Sequence, residues 1–232
     1  MKLAQTQIYA CDRLVISAGP GRENSSHRHF GAIVTLSPDG APVTLMSREA
    51  EPILCRAALV APNAWHRIEP GNARTLSLLI GADHPWFRYI KPLLSGEPIV
   101  KLDFAALDGQ SIPWEALFEG TCDCGEASRV AHAILQTFGG VDAPPHELDP
   151  RIEEVLQILR DAVSDTPTPD ELGRRVGLSR SALHERFIQL IGVPATQYLA
   201  QWRMQAAGRG PEVIPVMSMR QNSCHEIRIS LR

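Results

Sequence analysis

The stretch that decides the reading is Thr168-Pro169-Asp170-Glu171-Leu172-Gly173-Arg174-Arg175-Val176-Gly177-Leu178-Ser179-Arg180-Ser181-Ala182-Leu183-His184-Glu185-Arg186-Phe187-Ile188-Gln189-Leu190-Ile191. Its first four residues have the form of a capping box. The Thr168 hydroxyl can accept from the amide of Glu171, and the Glu171 carboxylate can return to the amide of Thr168. Pro169 suits the first helical position, where no amide hydrogen is needed. Leu172 and Val176 stand four apart and face inward. Gly177 is expected in the left-handed conformation that ends the helix, and Leu178 plugs the turn. Ser179 caps a second helix with an apolar face of Leu183, Phe187, Leu190 and Ile191, and Gly192 ends it. Two short helices joined by a glycine turn, each with its own cap, make a helix-turn-helix. The opposite face of the second helix carries Ser181, His184, Glu185 and Ile188, with Arg180 at its start. Residues so placed reach base edges in a major groove. His184 can donate or accept, and Glu185 can accept from a cytosine amino group. Arg180 and Arg186 are expected on phosphates, which position without reading sequence. The competing structural reading is a small helical domain with a solvated charged face.

Upstream, Asp149 can cap a helix that has Pro150 in its first turn and Ile152, Val155, Leu156, Leu159 and Val163 on one face. Residues 141–148, with Pro144-Pro145, read as a linker. Residues 7–82 have a different character. Ile8-Tyr9-Ala10, Leu14-Val15-Ile16, Ala32 to Leu36, Val43 to Met46, Ala57 to Val60 and Leu76 to Ile80 are short apolar or β-branched runs separated by turn residues. Such spacing predicts a sandwich or small barrel. Segments 85–95 and 114–138 carry apolar residues at helical spacing, among them Val130, Ile134, Leu135 and Phe138.

The formal net charge of −3 excludes bulk positive charge as a device for binding nucleic acid. Charge is nevertheless uneven. Residues 1–150 hold 12 basic and 17 acidic groups, and residues 151–232 hold 11 and 9. The N-terminus has no apolar core of a secretory signal, and no apolar run is long enough to span a bilayer. Cys11, Cys55, Cys122, Cys124 and Cys224 form an odd, scattered set, so reduced thiols in a cytoplasm are expected. Cys122-Asp123-Cys124 is too short for zinc-knuckle spacing and reads as structural. Trp65, Trp86 and Trp114 read as core or interface aromatics.

Glu171 to Phe187 resembles the first helix-turn-helix of the AraC family of bacterial regulators. Gly192-Val193-Pro194-Ala195-Thr196-Gln197-Tyr198-Leu199 and Trp202-Arg203-Met204-Gln205-Ala206-Ala207 then resemble that family's entry into its linker helix. The resemblance covers roughly residues 150–207. Gly173 departs from the family's usual alanine, and glycine inside a helix costs about 1 kcal/mol relative to alanine. The family has a second helix-turn-helix, but here the pattern stops at about Ala207. Residues 208–232 are expected to form an irregular tail, and the DNA-binding module to be truncated, as a frameshift after Ala207 would make it.

The resemblance implies an α+β chain of two domains. Residues 1–140 would be a cupin-like β-barrel with accessory helices that binds an effector or dimerises. Residues 149–207 would be an all-α DNA-binding domain. His27-Arg28-His29 would place two imidazoles on one side of a strand, if the strand continues there. Ala61-Pro62-Asn63-Ala64-Trp65-His66 resembles the second cupin motif, with His66 as its histidine. Three histidines could bind a divalent metal, but Phe30 to Leu36 supplies no acid. The expectation is therefore a barrel without metal or cofactor, with His27, His29 and His66 lining an effector pocket or solvated. The chain is thus read as a non-enzymatic, cytoplasmic, dimeric regulator that binds double-stranded DNA through Arg180, Ser181, His184, Glu185 and Arg186 and responds to a small molecule. Two other readings remain: an effector-binding or dimerising protein with impaired DNA binding, and a metal-dependent cupin enzyme.

Overall fold

The computed structural model describes residues 5–11, 14–48, 50–140, 142, 148–162 and 167–206. Val163, Cys224, most of the expected linker and the tail after residue 206 lie outside the described residues. The chain divides into two compact units, one described up to residue 142 and the other from residue 148.

In the first unit every expected strand forms. These are β1 (Gln7–Cys11), β2 (Leu14–Pro20), β3 (Ala32–Leu36), β4 (Val43–Ser47), β6 (Ala57–Val60) and β8 (Arg74–Ile80). Three further strands were not legible: β5 (Ile53–Cys55), β7 (His66–Glu69) and β9 (Ile99–Lys101). β7 reads His-Arg-Ile-Glu and β5 has three residues, so neither offers the apolar run that marks a strand. The strands form two antiparallel sheets, ordered β1-β2-β8-β3-β6-β9 and β5-β4-β7.

The central strands are buried on both faces, and strand periodicity divides their side chains between two cores. Ala32, Val34 and Leu36 of β3, Ala57 and Leu59 of β6, and Leu76, Leu78 and Ile80 of β8 face one core with helical residues such as Ile90, Ile134 and Leu135. Ile33, Ala58 and Val60 face the other core with Val43 and Leu45 of β4. Helices therefore cover one face of the six-stranded sheet and the three-stranded sheet covers the other.

The expected closed barrel is corrected here: the two sheets face each other without closing. Residues 21–31, which would have supplied a joining strand, form no strand and contribute one isolated β-bridge, between His27 and His66.

The helical part of this unit comprises α1 (Phe87–Leu94), a 3-10 turn at Phe104–Leu107, α2 (Trp114–Glu119) and α3 (Cys124–Gly139). The expected helix over 114–138 is thus split. Gly120, at φ 73°, ends α2 in the left-handed region. Asp123 then opens α3 with a capping box whose other half is Glu126. Trp86 and Trp114 pack partly buried against the helix-side core, as expected of them.

Packing of α3 beside β1 brings Cys11 and Cys124 to a Cα separation of 6.0 Å, and they form a disulfide. Free thiols are found at Cys55 and Cys122, both buried. The expectation of reduced cysteines therefore fails for the β1–α3 pair. Spacing along the chain carries no sign of it, because 113 residues separate the two.

The second unit is all helical, with α4 (Pro150–Asp161), α5 (Pro169–Arg175), α6 (Arg180–Ile191) and α7 (Ala195–Ala206). Ile152, Val155, Leu156 and Leu159 of α4, Leu172 of α5, and Leu183, Phe187 and Ile191 of α6 are buried, as their spacing predicts. Leu190 is half-buried rather than part of this core. Val193, Tyr198 and Leu199 complete it, and the Tyr198 ring meets the Phe187 ring edge-on at 5.9 Å. Burying a ring such as Phe187 contributes about 1.5–3 kcal/mol.

Candidate functional site

The helix-turn-helix is built by its caps. The Thr168 hydroxyl accepts from the Glu171 amide at 3.3 Å, and the Glu171 carboxylate accepts from the Thr168 amide at 2.7 Å. These bonds hold the Glu171 carboxyl below the usual range, the Thr168 amide contributing most. Gly177 takes φ 68°, and the Leu178 amide donates to the Gly173 carbonyl at 2.8 Å across the turn. The Ser179 hydroxyl accepts from the Ala182 amide at 3.2 Å. Gly192, at φ 88°, ends α6.

Gly173 is required by this turn. A Cβ placed there would lie 2.5 Å from the Leu178 carbonyl oxygen, closer than side-chain carbons approach.

Arg180, Ser181, His184 and Glu185 are all exposed on the outer face of α6. Together with Pro169, Leu183, Pro194, Ala195 and Thr196 they line a cleft of about 440 Å³. The contribution of Thr196, from the start of α7, was not anticipated, because its place depends on how the chain turns back after Gly192. Arg180 approaches Asp170 at 3.8 Å, with both side chains largely exposed.

Arg186 is differently engaged. Its Nε donates to the Asp149 carboxylate at 3.2 Å, and it also donates to Gln189 at 3.2 Å. Asp149 is the cap of α4, accepting from the Arg151 amide at 3.0 Å, and its side chain is only 5% exposed. The Arg151 guanidinium, which donates to the same carboxylate at 2.7 and 3.0 Å, is the first cause that holds this carboxyl well below the ordinary range, and the Arg186 bond is among the further causes. Arg186 thus braces α4 against α6 within the unit.

In the first unit, His27, His29 and His66 come together. His27 and His66 exchange backbone bonds, N to O, of 3.0 and 2.9 Å. The His29 carbonyl accepts from the Asn63 amide at 2.6 Å, and Asn63 turns at φ 62°. The expected extension of a strand through His27 and His29 is not found. That one bridge and the turn bring the three rings together instead. Ring centroids lie 4.5, 4.7 and 5.6 Å apart. One nitrogen from each ring lies within 4.8 Å of the other two.

Burial, and then the neighbouring imidazoles, lower His29 to about 3. Burial is also the largest cause that brings His66 to about 4. Both rings are therefore neutral near pH 7. Neutral imidazole is the form that binds metal, so the set fits a divalent ion chemically. The side chain of Trp65 lies instead under two guanidinium groups, Arg48 at 3.9 Å and Arg28 at 5.1 Å from its ring centroid.

No family model matches the chain. No curated protein matches its sequence. Among solved structures, the AraC-like transcriptional activator CuxR is similar over 87% of this chain and 79% of its own, at 16% identity and a TM-score of 0.43. ToxT from Vibrio cholerae, solved with an unsaturated fatty acid bound, is similar over 84% of this chain and 94% of its own, at 7% identity and a TM-score of 0.29. A cupin superfamily protein from Desulfitobacterium hafniense is similar over 34% of this chain and 81% of its own, at 18% identity and a TM-score of 0.29. These likenesses are distant. Among the described residues, no helix is long and apolar enough to cross a membrane.

Proposed function

We propose that the chain is a non-enzymatic transcription regulator of the AraC type, working in the cytoplasm. The second unit reads duplex DNA through α6, and the first unit receives a signal and holds a second copy of the chain. The observation that carries this reading is the doubly capped α5–turn–α6 pair, whose exposed face gathers Arg180, Ser181, His184 and Glu185 beside Thr196. Ser181, His184 and Glu185 suit base edges, and Arg180 suits a phosphate. One such helix spans only a few base pairs. Two copies engaging two half-sites supply the affinity that a single unit lacks.

The second reading, a signal-binding or dimerising protein with weak DNA binding, is favoured by one observation. Arg186 is committed to Asp149, which leaves fewer cations on the reading face.

The test is a fluorescence-anisotropy titration of the full chain against duplex DNA from the gene's own upstream region, at two salt concentrations. Saturable binding that weakens with salt is expected, and His184→Ala should weaken it about tenfold. A flat titration at low salt overturns the proposal in favour of the second reading.

A further inference from the structure

Cys11 ends β1, the edge strand of the six-stranded sheet, and Cys124 opens α3. Their disulfide ties the two elements together. The same junction also suits two thiols. The Cys11 sulfur lies 3.3 Å from the Cys124 carbonyl oxygen, and the Cys124 sulfur lies 3.4 Å from the Ala10 carbonyl oxygen. Once reduced, each thiol donates to a carbonyl of the opposing segment. Other contacts keep both elements in place. β1 pairs with β2 over its whole length, and the Tyr9 hydroxyl donates to the Leu117 carbonyl at 2.8 Å. Further along α3, the His132 ring stacks on Trp86 with centroids 4.5 Å apart, and Gly139 lies directly against the Tyr89 backbone. The fold thus accommodates both redox states, and reduction frees only the first turn of α3.

Cys122 shares this core but is not set up to take part. Burial pushes its thiol up, and Glu126 and Asp123 add to the rise. A thiol held protonated is a poor nucleophile. Cys124, although buried, is flanked by the exposed Asp123 and Gly125, so it lies just below the surface.

We propose that Cys11 and Cys124 form a reversible dithiol–disulfide couple that exchanges with small thiols, and that its oxidation state is a signal the first unit receives. The second half rests on the regulator reading above. In the reducing compartment of that reading, disulfides that do form are usually transient, catalytic or sensing. Reduction runs by thiolate exchange. An external thiolate attacks one cysteine sulfur, the S–S bond breaks, and the other cysteine leaves as a thiolate and takes up a proton. A second external thiolate then attacks the mixed disulfide and releases the first cysteine, which is protonated in turn. Two electrons and two protons reach the protein, and the small thiol departs as its own disulfide. Oxidation is the reverse, with a small disulfide as the oxidant. In chain order, α3 is the last described element before α4 opens the second unit. The couple therefore tethers or frees the start of the helix that leads to the DNA-reading part.

Full-length protein equilibrated at a series of reduced-to-oxidised glutathione ratios, alkylated and read by peptide mass spectrometry tests the couple. Cys11 and Cys124 should become reduced together within the series, while Cys55 and Cys122 stay reduced throughout. Circular dichroism of the reduced protein should remain that of the folded chain, and Cys122→Ser should leave the transition where it is. The couple is overturned if the pair stays oxidised at every ratio, if it opens only when the chain unfolds, or if Cys122 is found in the disulfide. The signalling half is read separately, by repeating the DNA titration with oxidised and reduced protein and with Cys11→Ser. DNA affinity should differ by about fivefold or more between the two redox states, with Cys11→Ser matching the reduced one. Equal affinities overturn the signal and leave the couple standing. Absence of DNA binding in both states overturns the regulator reading, and with it the signalling half, while thiol counting still decides the couple.

Discussion

At the scale of single residues, Gly173 reverses what its helical position implies. Propensity alone makes alanine better there by about 1 kcal/mol. The turn removes that advantage, because the Leu178 carbonyl oxygen occupies the space of a Cβ, 2.5 Å away. Overpacking of this kind costs about 1–3 kcal/mol. Gly173→Ala is therefore expected to destabilise the second unit, by about 1–2 kcal/mol in urea denaturation of the full chain. A stabilised variant would show that the turn moves aside without cost. His66 teaches the converse. The sequence around it resembles a motif with a histidine at this place, but its burial and orphaned Nε2 depend on a strand, β7, that has no apolar signature.

At the scale of elements, the helix starts carry the pH dependence. Asp149 caps α4 and Glu171 closes the box of α5, and both carboxyls are held below the ordinary range. A carboxyl with a depressed folded-state pKa binds its proton more weakly folded than unfolded. Its stabilisation is present above the unfolded value of about 4 and is lost as pH falls through the folded value. Hydrogen-exchange protection of α4–α6 amides should accordingly be flat from about pH 7 to 5 and decline below about pH 4. Asp149→Asn should show lower protection at neutral pH and a shallower acid decline. An unchanged acid profile would assign the loss to other groups.

The β1–α3 disulfide acts on the other unit. A cross-link closing a loop with a sequence separation of 113 constrains the unfolded chain strongly. Reduction, or Cys11→Ser, should lower the stability of the first unit by about 2–5 kcal/mol in denaturant titrations. The second unit, which contains neither cysteine, should be unaffected.

At the scale of the whole molecule, the net charge of −3 requires any attraction for DNA to be local. Arg180 is an exposed cation on the α6 face, whereas Arg186 is drawn to Asp149. Each phosphate contact contributes about 0.9 to the slope of log affinity against log salt. Arg180→Ala should therefore reduce the magnitude of that slope by about 1. Arg186→Ala should act mainly through stability, which salt-dependent anisotropy of the two variants distinguishes.

The amino-acid sequence by itself determined the helix-turn-helix, down to the caps at Thr168 and Ser179 and the left-handed Gly177 and Gly192. Caps, turns and amphipathic faces are satisfied by residues three or four apart, so the chain writes them locally. The same locality made the central strands of the first unit legible. Only the tertiary structure decided that the sheets do not close, that Cys11 meets Cys124, that Arg186 is a brace, and that three histidines converge. Each of these joins segments from about 37 to more than 100 residues apart, or depends on which strand edge finds a partner. No periodicity along the chain encodes such a meeting.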